Sequence, residues 1–95
     1  ALTAATAHAD SGLSDERREE LRNLLTQDCG SCHGLTLAGG LGPPLRREAL
    51  AGKPAEYLTA TILYGRPGTA MPPWRPVLSQ SEAAWLSNLL LKETP

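Results

Sequence analysis

Two cysteines three residues apart, with a histidine directly after the second, constrain this chain more than anything else in it: Cys29-Gly30-Ser31-Cys32-His33. These are its only cysteines. At the end of a helix, thiols at this spacing reach the two vinyl groups on one edge of a haem and form thioethers, and the next residue brings an imidazole under the iron. Three other chemistries use part of the pattern. A thioredoxin-like dithiol opens a helix and follows a strand, whereas the residues before Cys29 read as helix. A structural zinc site needs four ligands, and beyond Cys29, Cys32 and His33 the remaining good donor is His8. A plain disulfide would leave the histidine without a role. Covalent haem uses all three residues.

The rest of the chain calls for such a group. Ninety-five residues make one small domain with a modest core. There is no Phe, there are two Trp and two Tyr, and Gly and Pro together supply 17 positions, well above their usual share of about 12%. An embedded apolar cofactor would supply the missing mass. With 20% charged residues and a formal net charge of -1, a nucleic-acid binder working through a strongly basic face is excluded. No apolar run approaches the ~18 residues of a membrane span. The opening ALTAATAHADSG is small, polar and unpatterned; it resembles a start left by export cleavage, although a trimmed chain would look the same. Residues 1–12 are read as a flexible N-terminal lead-in and 13–95 as a single domain.

Helical periodicity organises that domain. Ser14 is a good N-cap, Asp15 and Glu16 suit a first turn, and Leu21, Leu24 and Leu25 repeat at helical spacing, which predicts a helix over Asp15–Gln27 running into the cysteine motif. Leu35–Gly52 is rich in Gly and Pro and reads as loop, with one short turn near Arg46–Ala49. Pro54 at a first helical position and Gly65 as a stop frame a second helix, with an apolar stripe from Tyr57 to Tyr64. RPGTAMPPWRP carries four prolines in eleven residues and predicts a stiff irregular loop. Ser79 and Glu82 form a capping-box pattern before a last helix that ends near Lys92, with Trp85, Leu86, Leu89 and Leu90 on one face. No segment alternates long enough to be a strand. The expected class is all-α.

Met71, the single methionine, lies in the proline-rich loop 38 residues after His33. A lone Met is ordinarily core filler, but filler has little reason to sit between small residues and two prolines. Its thioether is expected to face the iron opposite His33 and to raise the reduction potential relative to a second histidine. The alternatives are His8 or an open site.

With these motifs in place, the sequence resembles a class I c-type cytochrome. The stretch LLTQDCGSCHGLTLAGGLGPPL is most similar to the small periplasmic cytochromes found with the haem cd1 nitrite reductase of denitrifying bacteria, and to related haem c domains of that pathway. The resemblance implies a cytochrome c fold: three main helices and short turns wrapped around one haem c attached through Cys29 and Cys32. It also implies that a Gly-Pro carbonyl, here that of Pro43 with Pro44 as a near rival, accepts the other ring hydrogen of His33 and fixes the imidazole. One departure matters. Where the family places a glycine at the crossing of the terminal helices this chain has Leu21, so a wider crossing through Leu21, Leu25 and Trp85 is expected.

The implied function is electron carriage in the periplasm by a protein that is not an enzyme. Its transient partners would be redox proteins such as a haem cd1 nitrite reductase or a haem d1 maturation dehydrogenase. The alternative is a gas-binding or sensing haem protein whose Met71 bond is displaceable.

Charge is unevenly spread. Residues 1–32 carry six acids and three bases, while 33–80 carry Arg46, Arg47, Lys53, Arg66 and Arg75 against Glu48 and Glu56. Docking of an acidic partner through Arg46 and Arg47 is therefore expected, against apolar docking through Gly34, Leu35 and Pro72. Arg46, Arg47 and Arg75 are the candidates for a haem propionate, Trp74 for packing on a propionate or the macrocycle, and Tyr57 or Tyr64 for the methionine side. Surface charge and ordinary core packing are the plainer explanations for these residues.

Overall fold

The Ser14 hydroxyl accepts a 3.0 Å hydrogen bond from the Arg17 amide and starts helix α1, Asp15–Leu24. The computed structural model describes residues 12–92; His8, the rest of the expected lead-in and residues 93–95 lie outside them. The first helical rod, expected over Asp15–Gln27, runs on past Gln27. It widens into a single π-helical turn over Leu25–Cys29 and continues as the short α2, Gly30–His33, so the whole cysteine motif is helical. The turn is closed by the Gly30 amide reaching back to the Leu25 carbonyl. Leu25 is buried and Cys29 packs against the same core. Such turns are rare, and they concentrate at functional sites.

Three further helices follow among the described residues. A loop leads to α3, Arg47–Leu50, close to the expected turn. Pro54 sits just outside α4, Ala55–Tyr64, as its N-cap and not as its first residue. Its extended ψ of 146° explains the shift, because a helix cannot begin until ψ turns negative. An irregular segment follows, and α5, Gln80–Lys92, closes the fold. No strand occurs among the described residues. The protein is all-α, with the three longer helices α1, α4 and α5 around one core.

That core is leucine on leucine. Leu21, Leu25, Leu37, Leu50, Leu58, Leu63, Leu78, Leu86 and Leu90 are buried together with Ala83. Trp74 and Trp85 only edge it. At the expected terminal-helix crossing, Leu21 is fully buried while Trp85 stays half-exposed beneath the Arg22 guanidinium, 5.4 Å from its ring centroid. The small residues that let helices close up lie on α5 instead, at Ala83 and Ser87, both 0% exposed. Thr59 of α4 and Ser87 of α5 place their hydroxyl oxygens 3.0 Å apart, each also 2.9 Å from a carbonyl one turn back. This polar pair is buried and satisfied, which is the condition for tolerating it in a core.

The capping box at α5 forms reciprocally: Ser79 N–H donates to Glu82 Oε1 at 2.9 Å, and Glu82 N–H donates to Ser79 Oγ at 3.1 Å. Glu82 also takes a two-pronged bond from Arg17, Nε at 2.8 Å and Nη2 at 3.2 Å, tying α1 to the start of α5. Arg17 holds the Glu82 carboxyl below the usual carboxylate range. A carboxyl whose pKa is lowered by folding stabilises the fold above its unfolded pKa, and that contribution disappears as pH falls through the folded value. Glu82→Gln should therefore cost about 1 kcal/mol at pH 7 and flatten the loss of thermal midpoint below about pH 4. Thermal unfolding of the holoprotein between pH 7 and pH 3 measures both. An acid limb as steep as wild type would remove Glu82 from the account.

Candidate haem-attachment site

The cysteine motif is presented by the end of the first helical rod. Both thiols are free and half-buried. Burial pushes the Cys29 thiol up to about 11, with Asp28 and Cys32 adding to the shift. A thiol held neutral in an apolar wall is the opposite of the activated, low-pKa cysteine that a dithiol oxidoreductase needs. Among the described residues, no three of His, Cys, Asp and Glu converge so as to hold a metal ion, as a zinc site would require.

After the motif the chain folds straight back over it. Gly39 N–H bonds the His33 carbonyl at 2.8 Å and Gly42 N–H bonds the Cys32 carbonyl at 2.7 Å. This return sets the histidine. His33 Nδ1 lies 2.7 Å from the Pro43 carbonyl oxygen. A carbonyl can only accept, so the ring proton sits on Nδ1 and the lone pair of the neutral imidazole is left on Nε2. Gly42 makes the geometry possible, because a Cβ there would stand 2.7 Å from His33 Cε1 and 2.8 Å from Nδ1. Pro44, the rival, instead lies beside Gly39, where a Cβ would stand 3.4 Å from its Cγ.

The methionine segment is stitched to the end of α4. Gly65 terminates that helix at φ +71°, and a Cβ on it would stand 2.7 Å from the Met71 carbonyl. Arg66 N–H donates to that carbonyl at 3.2 Å. Thr69, which the sequence did not single out, donates through Oγ1 to the Arg66 carbonyl at 2.6 Å and accepts from Met71 N–H at 3.2 Å. A threonine two residues before the methionine is a turn-forming signal that could have marked it. Further on, Trp74 N–H and Arg75 N–H return to the Ile62 and Leu63 carbonyls. The prolines thus stiffen a loop that is also pinned at both ends. Met71 is half-buried within it.

The three arginine candidates separate. Arg46 Nε is buried with no hydrogen-bond partner among the described residues. Arg47 is occupied by the Lys92 carbonyl at 3.2 Å. Arg75 lies over the Tyr64 ring, 5.3 Å from its centroid. Trp74 is half-buried against the leucine core, and Tyr57 and Tyr64 are exposed on α4.

Known proteins with this arrangement are c-type cytochromes. Residues 8–90 match the family described as cytochrome c oxidase, cbb3-type, subunit III. The cytochrome c55X of Pseudomonas aeruginosa is 58% identical over 86 residues, an alignment covering 85% of this chain and 72% of that protein. The solved structure of the c-type cytochrome NirC superposes with a TM-score of 0.83 at 57% identity, over 84% of this chain and 94% of that one. The chain belongs to the cytochrome c55X family of small c-type cytochromes. A second solved structure, dihydro-haem d1 dehydrogenase NirN, is similar to this cytochrome over 78% of its length but only 16% of NirN, with a TM-score of 0.70 and 34% identity.

The residues of this cytochrome fit a covalent haem. Two free thiols, an imidazole with Nε2 bare and a buried guanidinium nitrogen without a partner among the described residues could supply anchors, an iron ligand and a counter-charge in turn. Beside the motif, Leu35 is 67% and Leu41 81% exposed, an apolar rim suited to flank a macrocycle edge.

Proposed function

We propose that this cytochrome is a single-haem electron carrier of the periplasm that exchanges electrons with a haem cd1 nitrite reductase or an enzyme of haem d1 formation. The bond from His33 Nδ1 to the Pro43 carbonyl carries the reading. It leaves Nε2 as a fixed, electron-rich ligand and offers no proton-transfer role to the imidazole. The kinship with cytochrome c55X and with a segment of dihydro-haem d1 dehydrogenase supports the choice of partner class.

In this reading Cys29 and Cys32 would anchor the haem, and His33 and Met71 would hold its iron. Arg46, with its buried Nε, would answer a propionate's charge, and Trp74 would pack beside the group. When bound, the haem supplies reversible one-electron chemistry. Everything else is positioning: Pro43 orients the imidazole, the Thr69 turn holds the methionine backbone, and the leucine core excludes water from the enclosed side. Residues 13–95 act as the haem domain.

Intact mass after acid–acetone extraction should exceed that of the polypeptide by one haem. The dithionite-reduced protein should be low-spin and indifferent to carbon monoxide. Colour lost to the solvent would refute covalent attachment. A prompt spectral change with carbon monoxide would select the gas-binding alternative.

A further inference from the structure

Of the docking cations expected from the sequence, Arg46 has its Nε buried and Arg47 donates to the Lys92 carbonyl at the end of α5. A different set of cations lies against two exposed tyrosines. Lys53 Nζ lies 5.7 Å from the centroid of the Tyr57 ring. The Tyr57 hydroxyl accepts from Arg66 Nη1 at 3.1 Å, and Arg75 covers the Tyr64 ring. Tyr57 and Tyr64 are seven residues apart on α4, two helical turns along one face, and are 45% and 57% exposed. None of the three cations forms an ion pair with a carboxylate among the described residues, in contrast to Arg17 and Arg18. From Lys53 to Ser79 the only acid is Glu56.

From this juxtaposition we infer that the Lys53–Tyr57–Arg66 and Tyr64–Arg75 strip is the docking surface of the cytochrome, and that its occupant is the acidic face of a redox-partner protein. The inference rests on the electron-carrier reading and places that reading's contact. Arginine and tyrosine are the residues that dominate protein interfaces. Each ring here holds a cation in place, so fewer rotamers are lost when a carboxylate arrives. Arg66 and Arg75 bracket the Met71 loop in sequence, and Arg66 bonds the Met71 carbonyl through its backbone. A partner bound on the strip is therefore seated against the loop that carries the proposed axial ligand. Salt should weaken the contact as the Debye length falls from ~30 Å at 0.01 M to ~8 Å at 0.15 M.

The test is an NMR titration of the 15N-labelled holoprotein with poly-L-glutamate at low ionic strength. Amide shifts should centre on residues 53–66, Pro54 having no N–H, and on Trp74 and Arg75. Arg66→Glu with Arg75→Glu should weaken binding at least tenfold. Arg47→Glu with Lys92→Glu, the same change in net charge at another place, should weaken it less than twofold. Both variants must retain the visible spectrum of the wild type. Shifts centred on Leu35 and Leu41 would overturn the inference in favour of apolar docking. Equal losses in the two double variants would reduce it to net charge. Tighter binding to phosphatidylglycerol vesicles than to polyglutamate would replace the protein partner by a membrane surface. Failure of the carrier reading shows separately, as failure of the protein to cycle between ferric and ferrous states with chemical reductant and oxidant, on which the titration does not depend.

Discussion

Replacing Cys29 and Cys32 together by alanine should leave a chain that is largely unfolded or molten. The reason lies in the core. Among the described residues every buried apolar side chain is a leucine, apart from one alanine, and no aromatic ring is buried. Marginal domains of this size have roughly 5 kcal/mol of stability to lose. A group that binds the folded state at an effective concentration about 1,000 times its Kd adds about 4 kcal/mol. Covalent tethering makes that contribution permanent, and the double variant forfeits it. Helical circular dichroism should fall, and the thermal transition should broaden or vanish. A sharp transition with native helicity and no bound haem would show that the leucine core suffices alone.

Met71→Ala should have the second largest effect, and on different observables. A thioether ligand to ferric haem gives a weak charge-transfer band at the red end of the spectrum, an expectation taken from the cytochrome class. The variant should lose that band, bind carbon monoxide when reduced, and show a lower reduction potential, because a soft sulfur ligand favours the ferrous state. Its fold should be little changed, since the loop is held by Gly65, Arg66, Thr69 and Trp74 through bonds in which the methionine side chain takes no part. An unaltered spectrum would mean that a different residue occupies the sixth position. Thr69→Val is an informative companion: with the Met71 backbone bond removed and the thioether intact, the band should persist but yield more readily to added imidazole.

Much of this protein is decided locally and so could be read from the chain. The CGSCH spacing defines the attachment chemistry, and Ser14, Gly65 and the Ser79–Glu82 box mark helix ends because capping is a contest among atoms three residues apart. All-α class follows from apolar periodicity in the same way. Other features depend on groups distant in sequence. The pairing of Arg17 with Glu82 spans 65 residues, and that of Thr59 with Ser87 spans 28; neither has a local signal. The π-helical turn at Leu25–Cys29 is invisible to a 3.6-residue pattern, because it answers to where the core lies and not to the propensity of Thr26 or Gln27. Composition could count five cations between His33 and Gln80 but could not sort them. Only the folded chain buries the Nε of Arg46, spends Arg47 on a carbonyl and lays Lys53, Arg66 and Arg75 against two tyrosines, since burial and ring contact are properties of the packed molecule.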